Sequence, residues 1–201
     1  MIAMIVATQR LMTLEEFLNF DDGTDTRYEL VNGELVEMPS ESDVNNIIAV
    51  FLLIEFSRFV PARLLRRGTE VVTSGFRSTA RIPDLMVLTE ESANALAGSK
   101  RSILLADMPP PALVIELVSP GTANEQRDYR YKRSEYAARG IAEYWLIDPH
   151  QAQVMVLTLV DGLYEEQVFK GGDRLISPTF PTLELTAAQV LQEDLQSSLP
   201  Q

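Results

Sequence analysis

The chain has 201 residues, no cysteine, a single histidine and a formal net charge of −12 at pH 7. A chain of this length can bury a core without covalent staples, which predicts one domain over residues 1–201. Disulfides, thiolate metal sites and cysteine nucleophiles are excluded, in keeping with a cytoplasmic setting, and His150, in a turn after Asp148-Pro149, is too little for a serine–histidine triad or a multi-histidine metal site.

The opening Met1-Ile2-Ala3-Met4-Ile5-Val6-Ala7 is apolar but too short to span a bilayer. It also lacks the basic flank and cleavage site of a secretory signal, so no membrane partner is expected. Thr13-Leu14-Glu15-Glu16 has capping-box spacing and predicts a short helix to about Phe20. Next, Asn32-Gly33 between two alternating segments, residues 27–31 and 34–38, predicts a tight hairpin. Val44, Ile47, Ile48, Phe51, Leu52, Phe56 and Phe59 recur at helical spacing after Ser40 or Ser42, giving a long core helix that ends before Pro61.

A strand is expected over residues 70–73, then a turn, then a second apolar strand over residues 81–88 with Asp84 near its start. Residues 89–110 read as irregular, with one helical turn near 91–96. The next strand, Leu113-Val114-Ile115-Glu116-Leu117-Val118, is bounded by prolines and apolar enough to be buried on both faces. An unpaired carboxylate inside it would lose several kcal/mol of hydration, so Glu116 requires a proton, a basic partner or a cation. Thr122-Ala123-Asn124-Glu125 repeats the capping-box spacing and opens a helix that stops near Gly140. A strand over residues 143–148 follows, and strand, helix and strand in succession predict a right-handed crossover between parallel strands. Residues 154–160 and 163–169 form a second hairpin about Asp161-Gly162, and residues 186–191 form a closing helix.

Within the crossover helix Asp128, Lys132 and Tyr136 stand four apart and share one face. Asp84 and Glu116, with the Leu117 carbonyl, offer the hard oxygen ligands that suit Mg2+ or Mn2+, and an adjacent lysine would stabilise an attacking hydroxide or developing charge. That combination predicts phosphodiester hydrolysis. Taken singly each residue has a plainer reading: Asp84 as a turn acid, Lys132 as a solvated helix residue paired with Asp128, Glu29 as a hairpin acid facing water.

These residues resemble a known pattern. Pro83-Asp84 followed by Glu116-Leu117-Val118 is similar to the bipartite signature of the PD-(D/E)XK, or restriction-endonuclease-like, nucleases. The fuller set resembles the Uma2 (DUF820) family of endonucleases: Tyr28-Glu29-Leu30-Val31-Asn32-Gly33-Glu34-Leu35, Arg81-Ile82-Pro83-Asp84, Glu116 through Thr122, then Asp128, Lys132, Tyr136 and Gly140 through Pro149. The likeness covers about residues 12–191. It implies an α/β, restriction-endonuclease-like core, with a central mixed β-sheet flanked by helices, an N-terminal helix and hairpin, and a C-terminal hairpin. It also implies Asp84 and Glu116 as metal ligands and Lys132 and Glu29 as catalytic groups, with Asp128 and Tyr136 supporting them. Val118 stands where the parent signature has its lysine, so that role passes to Lys132. Asn45 and Asn46 stand where the family commonly has a histidine.

The expected activity is a Mg2+- or Mn2+-dependent endonuclease acting on DNA. A homodimer would meet both strands of a duplex. The alternative is a catalytically inactive nuclease fold used for binding or assembly, which the acidic balance favours. That balance is uneven, however: ten of the 17 basic residues lie within residues 58–81 and 127–133, while from Gly140 onward two basic residues accompany nine acids.

Overall fold

The computed structural model describes residues 11–73, 78–119 and 127–192, without the side chains of residues 127 and 128. Helix α1 (Leu14–Leu18) starts as expected: the Thr13 hydroxyl accepts from the Glu16 amide and the Glu16 carboxylate accepts from the Thr13 amide. Strands β1 (Tyr28–Val31) and β2 (Glu34–Glu37) pair antiparallel across Asn32 (φ 52°) and Gly33 (φ 85°). A Cβ on Gly33 would stand 2.9 Å from the Leu11 Cβ, so this turn also seats the N-terminal segment.

Helix α2 (Asp43–Phe56) is capped by Ser42 and buries Ile48, Ala49, Leu52 and Phe56. Short strands β3 (Leu65–Arg66) and β4 (Glu70–Thr73) follow. The single strand expected over residues 81–88 is two strands in different sheets, β5 (Thr79–Arg81) and β6 (Leu85–Val87). Pro83 lacks an amide for a ladder bond, and the chain crosses between the sheets at Ile82-Pro83-Asp84. The segment read as irregular apart from one helical turn near 91–96 holds a two-turn helix there, α3 (Glu90–Leu96), closed by reciprocal Thr89 and Ser92 bonds, and strand β7 (Ile103–Leu104). A serine in place of the glutamate or glutamine of the standard box hid that cap.

Strand β8 (Leu113–Leu117) is buried throughout, as expected. The capping box at Thr122 lies outside the described residues. From Arg127 the chain forms a π-helical turn (Arg127–Lys132) that passes into helix α4 (Arg133–Ala138), and Gly140, at φ 77°, ends it. Strand β9 (Glu143–Asp148) lies parallel to β8. Strands β10 (Gln153–Val160) and β11 (Leu163–Phe169) make the second hairpin, and α5 (Ala187–Leu191) closes the described chain.

The strands divide into two mixed sheets, ordered β2-β1-β5-β4-β7 and β11-β10-β9-β8-β6-β3. Alternation along β8 sends Leu113, Ile115 and Leu117 into a core shared with α2 and α5, and Val114 into one shared with Tyr136 and Tyr144. Glu116 has the parity of Val114, so it faces α4. The first sheet packs Leu30, Val72, Ala80 and Ile103 against Phe17 of α1. No described helix is long and apolar enough to cross a membrane.

Candidate active site

Strand register explains how two acids far apart in sequence meet. Strands β6 and β8 are antiparallel with Leu85 opposite Ile115, and one step further along that register brings Asp84 level with Glu116. The Asp84 Oδ2 accepts from the Leu117 amide at 2.6 Å, which anchors its carboxylate at the end of β8. The parent strand was expected to carry Asp84; instead the acid sits in the link before β6, where the chain changes sheets.

Glu116 is buried at 3% exposure and its compensation is explicit. Lys132 Nζ donates to Oε2 at 2.6 Å, and Tyr136 Oη donates to Oε1 at 2.5 Å. Lys132 is itself only 3% exposed, so the reading of it as a solvated helix residue is corrected. The π-helical turn ends at Lys132 and α4 begins after it, so the two residues reach one carboxylate from a helix that changes pitch between them. The Asp128 side chain, expected on the same face, lies outside the described residues.

Glu29 also turns inward rather than to water. Its Oε2 accepts from Arg81 Nη1 at 2.9 Å, its Oε1 accepts from the Ile82 amide at 3.0 Å, and the same oxygen lies 4.0 Å from Lys132 Nζ. Arg81, 1% exposed, grips Glu135 through Nε at 2.7 Å and Nη2 at 2.8 Å. The result is a chain of alternating charge, buried from Glu116 through Lys132, Glu29 and Arg81 and ending at the half-buried Glu135. Burial pushes the Glu29 carboxyl up, but Lys132 and Arg81, with the Ile82 amide, outweigh it and hold the group below its usual value. Burial and the Glu116 charge push the Tyr136 hydroxyl well above its usual range, so it serves as a proton donor in this bond. For Arg81 burial opposes the charge, yet Glu135 and Glu29 prevail and raise its pKa.

Asp84, Glu116, Lys132 and Glu29 all line one cleft of about 750 Å³, with Asn45, Glu41, Arg27 and Arg67 also on its walls. Asn45 Nδ2 reaches the Leu117 carbonyl at 3.5 Å. Among the described residues no group of three or more histidine or acidic side chains is arranged as a metal cluster. At the end of β8 the cleft offers the carboxylates of Asp84 and Glu116 with the Leu117 main-chain carbonyl beside them, all hard oxygens. That donor set fits a magnesium-type ion, which takes one or two carboxylates and keeps several waters, better than an all-protein calcium or zinc cage.

Of the residues singled out in the sequence, the fold brings together Asp84, Glu116, Lys132, Glu29 and Tyr136. Sequence reasoning assigned no site role to Arg81, Glu135, Arg67 or Glu41, whose partners are long-range and carry no local pattern. The Arg81-Ile82-Pro83-Asp84 string was the available hint, since a charged residue next to a proline-broken strand calls for a partner.

No curated protein matches the chain. A crystal structure described as a "putative nuclease belonging to DUF820" from Anabaena variabilis has a TM-score of 0.67 at 20% identity, covering 90% of this chain and 98% of that one. This likeness shows the fold. The family model Uma2, described as "Putative restriction endonuclease", matches residues 14–188. The chain belongs to the Uma2 family.

Proposed function

We propose that this protein is a Mg2+- or Mn2+-dependent endonuclease that hydrolyses DNA phosphodiester bonds. The observation that carries the reading is the convergence of Asp84 and Glu116 at the mouth of β8, with the Lys132 ammonium 2.6 Å from one of them. Asp84, Glu116 and the Leu117 carbonyl would hold the cation. When bound, it polarises a phosphoryl oxygen and lowers the pKa of water.

The chain's own residues perform the remaining work. Lys132 keeps a positive charge inside the cleft, where low dielectric magnifies its attraction for an approaching hydroxide or for charge developing on the phosphate. Glu29, at 4.0 Å, helps hold that ammonium in orientation. Tyr136 fixes the Glu116 carboxylate by donating to its second oxygen. Asp84 is fixed by the Leu117 amide, so both acids are oriented before any ligand arrives. A homodimer would present two such clefts to the two strands of a duplex.

The test is supercoiled DNA incubated with wild type and Asp84→Ala in Mg2+ or Mn2+. Nicking by wild type that the substitution abolishes supports the proposal; equal activity of the two proteins, or an inert wild type, overturns it and leaves the fold as a binding module.

A further inference from the structure

We propose that Arg67 binds a backbone phosphate of the substrate strand, and that Glu41 occupies the position this phosphate takes. The proposal rests on the nuclease reading for the class of ligand, a polynucleotide, and on the geometry below for the site.

The Arg67 guanidinium is built into the cleft beside the acids. Its Nε donates to the Asp84 carbonyl at 3.3 Å and its Nη1 to Asn46 Oδ1 at 3.0 Å, which aim the remaining edge. That edge, at Nη2, meets both oxygens of Glu41, at 2.7 and 2.6 Å. A guanidinium donates to phosphate oxygens in the same planar manner as to a carboxylate. The two side chains are 30% and 32% exposed, in contrast to 1% and 3% for Arg81 and Glu29. An ion pair that open to water contributes little to stability, so its carboxylate can be exchanged for a ligand at small cost. Arg27 supplies a second cation on the same wall: its Nη2 would lie 3.2 Å from a Cβ on Gly68, the residue after Arg67. In an acidic cleft these two guanidiniums mark a path for a phosphate chain leading to Asp84.

The experiment measures binding of a short fluorescein-labelled DNA duplex in Ca2+, by anisotropy over a range of salt. Arg67→Ala should weaken binding about tenfold and reduce the slope of log K against log salt by about 1. Arg67→Lys should keep the slope and recover part of the affinity. Glu41→Gln, at an exposed position, should bind several-fold more tightly, because the internal competitor is gone. Unchanged or weaker binding by Glu41→Gln, or a wild-type slope in Arg67→Ala, would reduce Arg67 to a brace for the Asp84 main chain and overturn the proposal. Should wild type cut DNA while these variants fail the test, this inference alone falls. A wild type that neither binds nor cuts DNA with any divalent cation removes the nuclease reading and this inference together.

Discussion

Lys132 and Glu116 form a buried ion pair of 2.6 Å, each residue about 3% exposed, at the point where β8 meets the helix that follows it. Removing one partner strands the other charge in the interior. Lys132→Met should therefore destabilise the fold by about 3–5 kcal/mol in urea denaturation. The double variant Lys132→Met/Glu116→Gln should be more stable than Lys132→Met alone. Additive losses in the two single variants would show that the pair is not coupled.

Glu29 gives the acid limb of the stability profile. Its pKa in the fold lies below the usual 4.5, because Lys132, Arg81 and the Ile82 amide outweigh its burial. A carboxyl depressed on folding stabilises the protein above its unfolded pKa, and that contribution disappears as pH falls through the folded value. Wild type should thus lose stability below about pH 4.5, and Glu29→Gln should be less stable at neutral pH with a shallower acid slope. Chemical denaturation at stepped pH reads both effects; identical slopes would place the Glu29 charge outside the network.

Tyr136 acts at the opposite limb. Its hydroxyl is held protonated well above the usual 10 by burial and by the Glu116 charge. Above about pH 10 the unfolded chain releases this proton while the folded chain keeps it, so stability should fall as pH rises. Tyr136→Phe should show a weaker alkaline loss. It should also cost about 1–3 kcal/mol at neutral pH, because a buried carboxylate oxygen loses a donor. An alkaline profile equal to wild type would contradict this assignment.

On the proposed function, charge in the cleft predicts that the cation binds before DNA. Among the described residues lining it, Asp25, Glu29, Glu37, Glu41, Asp84 and Glu116 outnumber Arg27, Arg67 and Lys132. A polyanion meets net repulsion there until a divalent cation is present. DNA binding should be undetectable in EDTA, appear with Ca2+ or Mg2+, and weaken steeply with salt. Tight binding in EDTA would show that the duplex docks elsewhere.

Local chemistry made much of the fold readable. The Thr13 cap, the Asn32-Gly33 and Asp161-Gly162 turns and the all-apolar setting of Glu116 each depend on residues close together in sequence. The acid in that strand demanded a partner, and Lys132 on the following helix supplied it. What the sequence concealed depends on distance. Arg81 joins Glu29 and Glu135 across 52 and 54 positions, and the proline break beside it calls for a partner without naming either one. The break at Pro83 was read through, because apolar residues on both sides maintained a strand pattern while the chain changed sheets. Glu116 was legible as a burial problem with Lys132 as its answer, whereas the arginines Arg81 and Arg67 found their partners only in three dimensions.

The most direct test of the cation site is a calorimetric titration with Mn2+ of wild type, Asp84→Asn and Glu116→Gln, each checked for folding by circular dichroism. Wild type should bind Mn2+, and each substitution should weaken that binding at least tenfold while the protein remains folded. A wild type that takes up no Mn2+, or two folded variants that bind it as well as wild type, would contradict the assignment of Asp84 and Glu116 as the groups that grip the metal.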